Sequence, residues 1–375
     1  MDPRPVVTNT RASPPRAADA APGSRLRRGQ RSELALALRE HVPVAILILG
    51  FCFASFVLRA AWGLGSPLGG FAGGRLYAFL PVLLVHGLAF GYLKWSAQRR
   101  PAGTEPAGRV LTFDRLAALL VASVLMPLCL GVYASWKWSI PRLQPFSWDR
   151  ELHALDRLLH AGALPWAVLQ PLLGAPAVTV TLDRLYALWI PLSAVMLIWQ
   201  ACGSRPFVRA RFFLSYAMVY VVLGTVLAIG LSSAGPCYYG RVTGGQDPYR
   251  PLMSYLWSVD AGVPLVAVRG QEVLWQFYLE HREVPFLSIS AMPSVHVAIA
   301  VLFALAGWQA GRAAGLALTA YALVVLIGSV HLGWHYAVDG YFAAAATVVI
   351  WIACGAAMRA WFRVAGEADP SLRSG

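Results

Sequence analysis

Between Pro293 and Asp339 the chain carries Pro293-Ser294-Val295-His296 at the start of one apolar segment and His331-Leu332-Gly333-Trp334-His335-Tyr336-Ala337-Val338-Asp339 between the next two. Three of the eight histidines and a carboxylate therefore stand at the edges of hydrophobic runs, where an ionisable group is costly unless it has a partner or a task. His335 and Asp339 are four residues apart, so on a helix beginning there they share a face and the carboxylate can accept the imidazole proton. That bond fixes the tautomer and leaves the other ring nitrogen free to attack an electrophile. The same pair would also serve as a buried polar link between two helices. His296 follows Pro-Ser at a helix start, whose unsatisfied N–H groups and positive dipole end suit an anion such as phosphate. Ser294 can cap that helix, hold a phosphate oxygen, or do both.

His331, His335 and Asp339 also form an i, i+4, i+8 stripe of the kind that ligates metal. The stretch lacks the Glu of the metalloprotease pattern and nothing nearby in the sequence adds a ligand, so neither a metal nor a cofactor is expected. Heme is disfavoured too, because His41 and His86 fall outside any matched pair.

What must position these groups is a membrane protein. Of 375 residues 58% are hydrophobic and only 13% charged, against about a quarter charged in soluble domains. The net charge of +13 comes from arginines in the N-terminal tail and in short connections between apolar runs. That placement sets orientation and argues against a nucleic-acid partner. Four of the five cysteines lie inside apolar runs and only Cys237 in a loop, so no disulfide framework or zinc site is expected.

Residues 1–40 hold eight arginines among Pro, Ala, Ser and Gly and read as a disordered cytoplasmic tail. The first apolar run has no cleavage signature at its end and reads as a retained span. Runs of bilayer length number eight, near 42–62, 76–95, 115–136, 183–202, 210–231, 293–310, 313–330 and 336–358. With eight spans, Lys94, Arg99, Arg100, Arg109, Arg115, Arg205, Arg209, Arg211, Arg312, Arg359 and Arg363 fall on one side with the tail, which makes both termini cytoplasmic. His296, His335 and Asp339 then face the periplasm or exterior of an inner or plasma membrane.

Two long loops share that outer side. In the first, 137–182, Leu152, Leu155, Leu158 and Leu159 recur at helical spacing with the charges opposite, as in a helix lying in the interface. The second, 232–292, runs through Gly235-Pro236 and a further helical stripe at Val273, Leu274, Phe277 and Tyr278. No repeat of solenoid period is present. The expected divisions are the tail 1–40, N-terminal spans 41–140, a site-bearing membrane domain 141–365 and a C-terminal tail 366–375.

The pattern PSxH followed by HxxxD resembles the type 2 phosphatidic acid phosphatase superfamily of lipid phosphatases and phosphotransferases. Within it, His335-Tyr336-Ala337-Val338-Asp339-Gly340-Tyr341 is similar to the corresponding stretch of sphingomyelin synthases and fungal inositol phosphorylceramide synthase. The resemblance covers residues 293 to about 342, with weaker similarity at Gly235-Pro236 and from Trp148 to His160. It implies an all-α, polytopic membrane helix bundle of about eight spans with a phosphatidic acid phosphatase type 2-like core. It further implies His335 as nucleophile forming a phosphohistidine, Asp339 as its orienting partner, His296 as acid and later base, and Ser294 on the phosphate. The substrates implied are a lipid within the bilayer and, as acceptor, water or a polar alcohol such as inositol.

The departures carry information as well. The superfamily's Lys-x6-Arg-Pro motif is missing, since Arg205-Pro206 has Ile198 in place of the lysine and lies at the cytoplasmic end. Gly328-Ser329 stand where Ser-Arg precedes the nucleophile, and Val295 replaces the glycine of PSGH. Cations for the phosphate must come from elsewhere, with Arg241, Arg250 and Arg282 of the outer loop as candidates. These losses point toward the phosphotransferase branch. A proton- or ion-coupled transporter would use the same His and Asp groups, but a transport site belongs near the midplane, not gathered at one face.

Overall fold

Why the chain is helical follows from its apolar runs, since in hydrocarbon each backbone polar group must be satisfied within its own segment. A computed structural model describes residues 38–68, 91, 113–203, 205–284 and 287–364, and among them there is no β-strand. The tail 1–37, nearly all of the predicted span 76–95 with Lys94, Arg99, Arg100 and Arg109, and the segment 366–375 lie outside the described residues.

Six helices are long and apolar enough to cross a bilayer: α1 (Val42–Ala61), α2 (Asp114–Leu143), α5 (Pro176–Cys202), α6 (Pro206–Gly230), α10 (Arg312–His331) and α11 (Ala337–Val364). The protein is an integral membrane protein. The predicted span at 293–310 is instead the helix α9 (Val295–Ala310), whose 16 residues reach only about 24 Å, short of the roughly 30 Å hydrocarbon core. Its apolar residues surround the axis and most are buried, so α9 forms core against α10 and α11 instead of facing lipid. Helix α6 is equally central: 67% of its most apolar window is buried, against 22% for the peripheral α1.

The two long loops are mostly helical. Helix α2 continues seven residues past the predicted end of its span to Leu143, and α5 begins at Pro176. Between them lie α3 (Asp149–Leu159) and α4 (Pro165–Leu173). After α6 come a 3-10 turn at Pro236–Tyr238, a short helix Tyr239–Thr243, and the pair α7 (Arg250–Gly262) and α8 (Val266–Leu279), bent by 112° at Val263-Pro264-Leu265. Asp183 of α5 accepts from the N–H groups of Val266 and Ala267, both at 2.8 Å. A carboxylate on another element thus caps α8 and fixes the bend.

At the far end from the histidines, Arg209 was read as a topology charge, yet it is only 1% exposed. Its guanidinium meets Glu40 at 2.7 Å and Asp114 at 3.1 Å. The pairing joins the starts of α1 and α2 to α6, and it is the condition on which a charge is tolerated there.

Candidate active site

The chain passes the same end of the bundle three times, at the start of α9, the end of α10 and the start of α11. Ser294 caps α9, its hydroxyl accepting from the Val297 N–H at 3.4 Å. One residue into that helix, His296 is walled by Tyr186 and Trp189 of α5, with ring centroids 5.2 and 4.7 Å away. Helix α10 stops at His331 because the chain reverses through Gly333, whose φ of +73° favours glycine. The N–H groups of Trp334 and His335 then both donate to the Ser329 carbonyl.

This turn brings His335 Nε2 to 3.3 Å from His296 Nδ1. On the other edge of the ring, His335 Nδ1 lies 3.4 Å from Asp339 Oδ2. That is longer than an aligned hydrogen bond. Asp339 Oδ2 also accepts from the Tyr336 N–H at 3.2 Å. Ser294 and Asp339 are fully buried and His335 is 4% exposed. His335 Nδ1 and Asp339 Oδ1 are buried without a hydrogen bond, a penalty of about 1–3 kcal/mol for each such group. A pair serving only to join helices would be selected to avoid that cost, which weighs against a purely structural link.

The i, i+4, i+8 stripe of His331, His335 and Asp339 does not form. His331 is on α10 and Asp339 on α11, with the turn between them, and His331 Nε2 is 2.9 Å from Thr179 Oγ1, which in turn meets the Tyr255 hydroxyl at 2.6 Å. Among the described residues no three His, Cys, Asp or Glu side chains are grouped to hold a metal ion.

Helix α3 holds the site together by its acidic face. Asp149 accepts from the N–H groups of Ala234 and Gly235 at 2.9 Å each and from the Tyr336 hydroxyl at 2.8 Å. Two turns along the same face, Asp156 accepts from the Ala337 and Val338 N–H groups, both at 2.9 Å, capping α11 from outside. Burial pushes both carboxyls above the ordinary carboxylate range, and these hydrogen bonds pull them part of the way back. Leu152 of α3 is buried, but Leu155, Leu158 and Leu159 are exposed, Leu158 at 77%, which suits an interface with lipid. Gly235, at φ +99°, admits no side chain, because a Cβ there would stand 2.6 Å from the Trp334 carbonyl oxygen.

The three predicted phosphate arginines lie in the outer loop with other surroundings. Arg241 is bound to Glu272 at 2.6 Å and Arg250 is exposed at the start of α7. Arg282, stacked on Phe277, lines an open cavity of about 100 Å³ with Arg142 and Trp138. None of them hydrogen-bonds His296, His335 or Asp339 among the described residues. The charge that does reach both imidazoles is Lys137 of α2. Sequence reasoning passed over it because the apolar run was taken to end at residue 136; a lone lysine one residue past a run of that length was the available signal.

Burial, with the Lys137 charge adding to it, pushes the His335 imidazole down to about 3. A depressed histidine stays neutral as pH falls through its ordinary value of about 6.5 and takes its proton only well below that. Formation of any adduct on His335 should therefore persist from about pH 7 to about pH 5, with no acid limb in the ordinary imidazole range. Single-turnover rates across that range test this, and a limb centred near about 6.5 would contradict it.

Two facing imidazoles at a capped helix start, one of them beside a carboxylate, can supply a nucleophile and a proton donor or acceptor. A family model described as the PAP2 superfamily matches residues 150–355, over half of the chain. The chain belongs to the PAP2 superfamily, whose members are phosphatases and phosphotransferases. No curated protein matches it and no solved structure does.

Proposed function

We propose that the protein is a lipid phosphotransferase or lipid phosphate phosphatase that works through a phosphohistidine at His335. The observation that carries this is the placement of His335 between two partners, Asp339 at one ring nitrogen and His296 at the other. With Nδ1 turned to Asp339, Nε2 keeps its lone pair for attack. At 3.3 Å the two imidazoles leave no room for a phosphorus atom, so an entering substrate parts them and lies between nucleophile and acid.

In the first half-reaction Nε2 attacks phosphorus and the P–O bond to the leaving group breaks. Its electron pair stays on the leaving oxygen, which takes a proton from His296. In the second, His296 removes a proton from water or a polar alcohol as that oxygen attacks phosphorus. The P–N bond breaks and its electron pair returns to Nε2. Ser294 and the N-terminal N–H groups of α9 face the phosphoryl oxygens.

The lipid enters from the bilayer past the exposed leucines of α3 and the acceptor from the aqueous side, taken to be the periplasm or exterior with both termini cytoplasmic. Arg282 and Arg142, at the cavity beside α8, suit an approaching anionic headgroup. Water as acceptor makes the reaction a hydrolysis, and a polyol such as inositol makes it a transfer.

The test incubates purified protein with a phospholipid or lipid phosphate and inositol, in EDTA, and measures free phosphate and transferred headgroup separately. Either product at an unchanged rate in EDTA is the expected result. No turnover of any phosphorylated lipid would end this reading, and loss of activity in EDTA would replace the mechanism by a metal-assisted one.

A further inference from the structure

We propose that Lys137, which precedes the family-matched segment, supplies the positive charge that grips the phosphoryl oxygens at His335, and that Arg59 of α1 positions it. The inference rests on the phosphohistidine reading above and adds to it a requirement for the N-terminal helices.

Geometry places Lys137 at the site. Tyr133 and Lys137 are four residues apart on α2 and share a face. A Cβ built on Gly224 of α6 would lie 2.7 Å from the Tyr133 ring and 3.4 Å from the Val295 side chain. The Tyr133–Lys137 face of α2 therefore packs on α6 beside the first turn of α9, where Val295 adjoins His296. A second tie comes from the segment leading into Pro293, where the Ser288 hydroxyl donates to the Lys137 carbonyl at 3.0 Å. Both imidazoles fall within the field of the Lys137 charge. No carboxylate pairs with Lys137 among the described residues. The acids around the imidazoles are engaged otherwise, Asp149 and Asp156 on backbone N–H groups and Asp339 on His335 and Tyr336. An unpaired ammonium on a spanning helix is tolerated when it has an anion to meet.

Arg59 fixes the turn that bears it. This guanidinium is 1% exposed. It donates to the Ser135 carbonyl at 2.9 Å and the Ser139 hydroxyl at 2.8 Å, two residues to either side of Lys137. Its remaining bonds go to the carbonyls of Leu64 at 2.7 Å and Gly65 at 3.3 Å, beyond the end of α1. Five donors in a rigid fork hold two helices at once, which a lysine's point charge does not do. Arg59 touches no substrate in this arrangement and is a positioning residue. The phosphate-binding lysine absent from the segment 150–355 is thus replaced by one delivered from another helix.

The experiment uses the full chain in detergent or nanodiscs, a lipid phosphate as substrate and orthovanadate as the probe of the phosphoryl pocket. Lys137→Met should lower kcat/KM by about 10²- to 10³-fold and weaken vanadate inhibition by at least about tenfold. Lys137→Arg should keep vanadate inhibition within about tenfold of the parent, since it restores charge with altered geometry. Arg59→Met should weaken vanadate inhibition in parallel with activity, whereas a merely structural role would lower the unfolding temperature and leave the inhibition constant of the folded protein alone. Should Lys137→Met not fold, Lys137→Gln carries the same expectation. If Lys137→Met or Lys137→Gln keeps parental kcat/KM and vanadate inhibition while His335→Ala is inactive, the assignment of Lys137 falls and the phosphohistidine stands. If the parent neither turns over nor binds vanadate, the phosphohistidine reading itself falls.

Discussion

Replacing His335 with alanine is expected to lower turnover by at least about 10⁴-fold while leaving a folded, monodisperse protein, because covalent catalysis loses its nucleophile outright. The residue is 4% exposed, and its side-chain hydrogen bond to His296 lies within the site, so truncation removes little that holds the bundle. His296→Ala tells the two roles apart. It should cost about 10²–10⁴-fold with a poor leaving group, and much less with an activated one such as a nitrophenyl phosphodiester, whose oxygen needs no proton. Phosphoenzyme that is labile in acid and stable in base should build up in His296→Ala and be absent from His335→Ala. Turnover surviving in a folded His335→Ala would dismiss the histidine as nucleophile.

The second large effect concerns two carboxylates that touch no substrate. Asp156 and Asp149 each receive at least two charge-assisted hydrogen bonds from backbone N–H groups, and such bonds are worth about 1.5–3 kcal/mol apiece. Truncation to alanine leaves the donors buried and unpaired, so a loss of about 2–4 kcal/mol is expected for either variant. Asp156→Asn retains one acceptor and should fall between. Activity should drop further than stability alone accounts for, since Asp156 fixes Ala337 and Val338, two and three residues after His335, and Asp149 fixes Tyr336. Thermal unfolding in detergent, followed beside kcat at a temperature where the variants remain folded, checks both parts. An Asp156→Ala protein with parental unfolding temperature and kcat would show that the caps do not set the site.

Much of the bundle was legible in the sequence, because length and hydropathy leave a 20-residue apolar run few alternatives in a bilayer. Ends of helices were less so. The run at 115–136 stops being apolar near Lys137, yet α2 goes on to Leu143, since Arg59 and the Ser135 and Ser139 groups satisfy that turn from within the protein. Hydropathy counts solvent transfer and is blind to such partners. The same blindness hid Arg209, a cation whose carboxylates lie 169 and 95 residues away in sequence.

At the site, spacing alone determined that His335 and Asp339 stand within one turn of each other and that Ser294 stands at a helix start, because local geometry fixes both. What only the tertiary structure decided is which groups from distant elements share that end. It sets His296 against His335, turns His331 away toward Thr179 and Tyr255, leaves Arg241, Arg250 and Arg282 without a hydrogen bond to the imidazoles, and puts the aspartates of α3 on the turn that follows His335. The physical reason is that a motif records neighbours along the chain, whereas charge and hydrogen-bond partners in a buried site are chosen by packing across it.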